Sequence, residues 1–279
     1  MLELLQEDFM RRALFAVVLA TVNCSLLGSY VVTRRMAFVS TALTHSILPG
    51  VVFAVILGVS PYWGALGAAL ATALGVGWLA GRRELREDTA IGVVLAFMFA
   101  LGVLLMSLAD SFQDFSSLLF GSVFGVGAGD LWVAGGVSAL ILGSLVLFHR
   151  GLVLASYDEE YAAQSGFCPD GLRLLLLVLV ALGTVTCVRI AGVLLTTSLL
   201  VIPAATAVLL ARTFRAVMAL SAALGFSGGV GGLLLSAVFE RVPPGAAIVL
   251  CCCVFFFVAF AAVRLREWLV ARFPARKIS

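Results

Sequence analysis

The chain has a single lysine, Lys277, and two histidines, His45 and His149, among 279 residues. A nucleotide-binding P-loop needs a lysine on the phosphates. With its one lysine third from the C-terminus, the chain has no P-loop of its own, so any ATP-driven work must use a motor on another subunit. Charge is scarce as well. Charged residues make up 12% of the chain, against about 25% in a typical soluble domain. The net charge of +3 is too small to indicate nucleic acid as a partner. Six cysteines occur, Cys24, Cys168, Cys187 and the run Cys251, Cys252 and Cys253, and no pair is spaced C-x-x-C. Consecutive helix positions point about 100° apart, so the run cannot converge on one metal. These are expected to be small apolar residues in a bundle.

What is abundant is apolar surface. Hydrophobic residues reach 62% and mean hydropathy is +1.16. A lipid-facing exterior requires that excess, because hydrocarbon cannot solvate exposed polar groups. The fold class is therefore an all-α membrane protein, a polytopic transmembrane helical bundle and a single domain over residues 1–279. The acidic start and the span-length apolar run after Arg11 and Arg12 do not fit a cleavable signal. Span-length segments recur at Ala13–Val32, Ala37–Val59, Tyr62–Ala80, Ala90–Leu108, Leu131–Phe148, Leu172–Val188, Gly192–Ala211, Ala216–Phe239 and Ala246–Val263. That gives nine spans, or eight if one pair is a broken helix. Phe112–Gly127 is apolar but short, and is expected to be re-entrant or superficial.

Arginine placement orients the bundle, since basic loops stay cytoplasmic. Alternate loops holding Arg34/Arg35, Arg82–Arg86, Arg150–Arg173, Arg212/Arg215 and the C-terminal tail collect fourteen of the eighteen basic residues. With nine spans the N-terminus lies outside and the C-terminus inside. Small residues at four-residue spacing, Gly67, Ala71 and Gly75 and then Gly225 and Gly229, are expected to let helices approach closely. The glycines Gly228, Gly229, Gly231 and Gly232 suggest a pliable stretch.

None of the fifteen acidic residues falls deep in a span. Ion-coupled carriers hold carboxylates at mid-membrane, so a carrier or channel working without an ATPase is the weaker alternative. Gly225-Phe226-Ser227-Gly228 has the form of an intramembrane serine protease motif. A serine nucleophile needs a base in reach, and both histidines lie earlier in the chain rather than later. His45, about ten residues past the Arg34/Arg35 boundary, is placed near mid-membrane, where an ionisable group marks a pathway. His149, beside Arg150, is expected to be interfacial.

The run Val32-Thr33-Arg34-Arg35-Met36-Ala37-Phe38, continued by Ala42-Leu43-Thr44-His45-Ser46-Ile47-Leu48-Pro49-Gly50-Val51, resembles the manganese/zinc/iron-type ABC transporter permease family. That family shows R-R-M-A-x-x-G-D-A-L-x-H-x-x-L-P-G-V. Further resemblances follow in order: Asp88-Thr89-Ala90-Ile91-Gly92, Leu119-Phe120-Gly121-Ser122, Asp158-x-Glu160-x-Ala162-x-x-x-Gly166, Leu200-Val201-Ile202-Pro203-Ala204-Ala205-Thr206-Ala207, and Pro243-Pro244-Gly245-Ala246. Together they cover about residues 13–255.

The resemblance implies a multi-pass permease of the bacterial plasma membrane that is a transport subunit and not an enzyme. It implies a homodimer or a pairing with a related permease, fed by an extracytoplasmic metal-binding protein and docked on a cytoplasmic ATPase subunit. No permanently bound cofactor is implied, only a transported zinc or manganese ion. His45 and Thr41 are the candidate metal contacts. Thr41 stands where the family has aspartate, and losing a carboxylate beside an imidazole tilts the expectation toward zinc, with manganese or iron as the other cargoes. Asp158, Glu160, Ala162 and Gly166 are the candidate ATPase-coupling residues, in a segment of about residues 150–170.

Overall fold

The computed structural model describes residues 8–81, 86–108, 127–239 and 242–272. Among them every regular element is a helix. In chain order these are α1 (Asp8–Thr33), α2 (Phe38–Ser46), α3 (Leu48–Ile56), α4 (Pro61–Ala80), α5 (Glu87–Leu108), α6 (Ala128–Leu147), α7 (His149–Tyr157), α8 (Glu159–Gln164), α9 (Pro169–Ala191), α10 (Val193–Leu210), α11 (Phe214–Val238) and α12 (Pro244–Arg272). The expected short element at Phe112–Gly127 lies outside the described residues except for Gly127, as do Leu119–Ser122, Arg82, Arg83, Glu240, Arg241 and the final basic residues.

Eight helical segments are long and apolar enough to cross a membrane, with Leu195–Leu210 a shorter ninth. One of the eight, Phe38–Ile56, is interrupted. The span expected at Ala37–Val59 is present as Phe38–Ile56, in two helical pieces, α2 and α3, and Pro49 is the physical reason for the division. Pro49 has no N–H to return to the His45 carbonyl four residues earlier, and its ring crowds that carbonyl. The helix breaks at Ile47, whose own N–H turns to the His45 oxygen. In contrast α11 runs unbroken through its glycines.

The interior is built around α1 and α9, whose apolar windows are each 67% buried, while those of α5, α6 and α12 are only 17%, 22% and 22% buried. Lipid is as apolar as leucine, so the bundle is held by close packing and interhelical hydrogen bonds rather than by the hydrophobic effect. Gly225 and Gly229 of α11 lie against Ser25 and Thr21 of α1, and Gly28 of α1 meets the Leu200 carbonyl of α10. Ser221 Oγ donates to the Ser25 carbonyl at 2.8 Å, and Asn23 Nδ2 donates to Ser138 Oγ at 2.5 Å. The Gly225/Gly229 row thus packs as expected. The other row does not: Gly67 meets nothing within 4 Å and Gly75 only Val94 side-chain atoms at 3.7 Å. The close contact on α4 is one turn earlier, where Gly64 and Gly50 of α3 face each other's carbonyls.

The α1–α2 corner is unusually tight. Met36 N–H donates to the Val31 carbonyl and Arg35 N–H to the Val32 carbonyl, the bond pair of a Schellman C-cap. The left-handed position falls on Arg35, at φ 61, where a side chain costs about 1–2 kcal/mol. Burial of Met36 and Tyr30 on either side holds the turn.

Candidate functional site

On α2, Ala42, Leu43, Thr44 and Ser46 are buried, whereas Thr41 and His45 are half-buried. Residues i and i+4 share a helix face, so these two side chains open the same way. The neighbouring hydroxyls are engaged within the helix: Ser40 Oγ donates to the Ala37 carbonyl, Thr44 Oγ1 to the Ser40 carbonyl and Ser46 Oγ to the Leu43 carbonyl. Thr41 forms no such bond among the described residues. The His45 ring meets Phe99 of α5 edge-on, with centroids 6.1 Å apart. The sequence-derived pair is therefore brought together beside the Pro49 break, one turn apart on an open face. No group of three or more His, Cys, Asp or Glu able to hold a metal occurs among the described residues. Within one chain the arrangement offers an imidazole and a hydroxyl, a partial ligand set.

The second cluster sits at the end of the bundle that carries Arg34. Asp158 caps α8, its carboxylate accepting from Tyr161 N–H at 2.9 Å. At the other end, Phe167 N–H donates to the Ala162 carbonyl and Gly166 N–H to the Ala163 carbonyl. That is a second Schellman C-cap, with its left-handed position at Gly166, φ 85, where glycine adopts φ > 0 without steric cost. Phe167 then packs on Gly151 of α7. Ala162 is fully buried and Glu160 exposed. Of the four coupling candidates, Asp158, Ala162 and Gly166 build α8, and Glu160 is presented outward with Tyr161, 56% exposed. Tyr161 was not singled out from sequence; its signal is a large aromatic held outside a membrane span.

Two arginines organise this end, Arg34, read from sequence as a charge and as part of the R-R-M-A run, and Arg173, read only as a charge. Arg34 Nη2 donates to the Ala155 carbonyl at 3.1 Å and to Glu159 at 3.0 Å, with its side chain 4% exposed. Burial lowers the Arg34 pKa from its ordinary value, and the carboxylates of Glu87 and Glu159 oppose that shift. Arg173, also buried, pairs with Asp170 and, at 3.5 Å, with Glu87 of α5. Together they line a cleft of about 770 Å³ with Ala80 and Glu160, so α1, α4, α5, α7, α8 and α9 all meet there.

His149 is not merely interfacial. Its Nδ1 lies 2.8 Å from the hydroxyl of the buried Tyr30, which ties α7 to α1. At the opposite end, Arg189 pairs with Asp130 and lies 5.0 Å over the Tyr62 ring. Among the described residues the carboxylates sit at or near helix ends, with none in the middle of a span, in keeping with the sequence. Ser227 Oγ donates to the Leu224 carbonyl of its own helix, which leaves the serine motif as part of a helix surface. All six cysteines are free, and Cys24, Cys187 and Cys252 are buried.

A polytopic helical membrane protein is what these features define. The model of the ABC 3 transport family matches residues 6–263. The manganese transport system membrane protein MntC of Halalkalibacterium halodurans is 33% identical over 239 residues, 85% of this chain and 82% of that protein. A probable iron transport system membrane protein of Haemophilus influenzae is 32% identical over 240 residues, 86% of this chain and 89% of its own length. Among solved structures, PsaBC from Streptococcus pneumoniae in complex with Fab superposes with a TM-score of 0.80 at 32% identity, over 92% of both chains. The chain belongs to the ABC 3 transport family, and it is a transport subunit rather than an enzyme.

Proposed function

We propose that this chain is the membrane-spanning permease of an ABC importer for a divalent transition-metal ion. It works as a dimer in the bacterial plasma membrane with a cytoplasmic ATPase on the Arg34 end and an extracytoplasmic binding protein on the Arg189 end. The observation that carries the reading is the family match over residues 6–263. It is supported by full-length likeness to proteins named for manganese and iron transport. The half-open Thr41–His45 face fits a transient contact for the passing ion. Imidazole binds borderline transition ions well, and a conduit must hold its ion weakly enough to release it. A second copy, water or backbone carbonyls complete the coordination.

The names of the relatives favour manganese, whereas a hydroxyl in place of a carboxylate beside the imidazole favours zinc. Uptake of radioactive manganese and zinc into proteoliposomes holding permease, ATPase and binding protein decides between them. His45→Ala is expected to lower uptake at least tenfold while assembly with the ATPase persists. Thr41→Asp is expected to shift preference toward manganese. Normal uptake by His45→Ala removes the histidine from the path and leaves the importer reading standing. A wild-type complex that hydrolyses ATP yet moves no metal overturns the importer reading.

A further inference from the structure

The Arg34 guanidinium spans a junction. Its Nη2 bonds both the Ala155 carbonyl in the last turn of α7 and the carboxylate of Glu159, the first residue of α8. The Asp158 cap and the Gly166 turn make α8 a small rigid body. On the other side, Arg34 is the last residue before the left-handed Arg35, inside the hydrogen-bonded corner that leads straight into α2. Three residues separate it from Phe38, the start of the helix that carries Thr41 and His45. Thus one buried side chain joins α8 to the helix with the open polar face, through a backbone corner with no slack. By comparison, Arg173 ties α9 to Glu87 of α5, whose Phe99 touches His45 from the other side.

We infer that Arg34 is the positioning residue through which displacement of α8 reaches α2, so that ATPase movement alters the Thr41–His45 face. A flexible loop between α8 and α2 would dissipate such a displacement. A guanidinium holding two acceptors on two helices fixes both distance and angle. The inference rests on α8 being the element that docks on the ATPase.

The test is the number of metal ions moved per ATP hydrolysed by the assembled importer in proteoliposomes. Glu159 is 49% exposed, so Glu159→Ala breaks the link without opening the interior. Arg34→Gln breaks it from the buried side. Each is expected to lower the ion-to-ATP ratio about fivefold or more, the lower range of an allosteric coupling. The double variant is expected to lose no more than Arg34→Gln alone, because both changes remove one interaction. Glu159→Gln, which keeps an acceptor at the same length, retains more of the ratio than Glu159→Ala. A ratio unchanged in Glu159→Ala, or losses that multiply in the double variant, overturns the inference while the importer reading stands. A wild-type complex that moves no metal overturns both.

Discussion

Substituting alanine for Gly64 separates contact seen in the fold from pattern seen in the sequence. A Cβ on Gly64 would lie 2.0 Å from the Gly50 carbonyl oxygen and 2.6 Å from the Ala54 Cβ. Neither neighbour is the end of a flexible side chain, so α3 and α4 must part. Reaching an ordinary contact of 3.4 Å requires a shift of about 1.4 Å along that line. Overpacking of this kind costs about 1–3 kcal/mol. With rigid backbone on both sides the upper half of that range applies, about 2–3 kcal/mol, or roughly 30- to 140-fold in the unfolding equilibrium. Gly67→Ala, one turn away on the same helix, meets nothing within 4 Å and is expected to be neutral or to gain up to about 1 kcal/mol from helix propensity. Equilibrium unfolding of the detergent-solubilised chain, followed by far-ultraviolet circular dichroism, measures both. Because α3 begins at the Pro49 break beside His45, Gly64→Ala is also expected to lower metal uptake. Equal stability of the two variants, or a greater loss at Gly67, refutes the packing argument.

Three further outcomes can be checked on the Arg34 end. Asp158→Ala removes the α8 cap, worth about 1 kcal/mol. It should lower ATPase coupling by fraying α8, whereas Tyr161→Ala should weaken co-purification with the ATPase and leave the melting temperature of the permease unchanged; intact co-purification after Tyr161→Ala removes that face from the docking surface. A cysteine introduced at Glu160 in a background lacking the exposed Cys168 should react with a membrane-impermeant maleimide only from the cytoplasmic side, and labelling from outside reverses the orientation drawn from arginine placement.

Composition and span-length apolar runs are enough to dictate a helical bundle, because lipid offers backbone groups no partners and each span must bond within itself. Proline removes one N–H and crowds one carbonyl at Pro49 and at Pro203 alike, yet α10 continues through Pro203 while α2 and α3 separate at Ile47, so the break at Pro49 is decided by its surroundings. The pairing of Thr41 with His45 follows from their four-residue spacing, and the turn at Gly166 from the glycine itself. The partners across helices are another matter. Spacing alone marks Gly67 and Gly64 equally well, and only the way α3 crosses α4 brings Gly64 against Gly50. Charge alone cannot distinguish Arg34 from Arg35, yet the Schellman corner turns the first under α7 and α8 and leaves the second exposed. His149 finds Tyr30, 119 residues away, and Arg34 finds Glu159 at a separation of 125. Such pairs are fixed by the rotation and depth of one helix against another. Those depend on the side-chain volumes of the whole bundle and on no single segment of sequence.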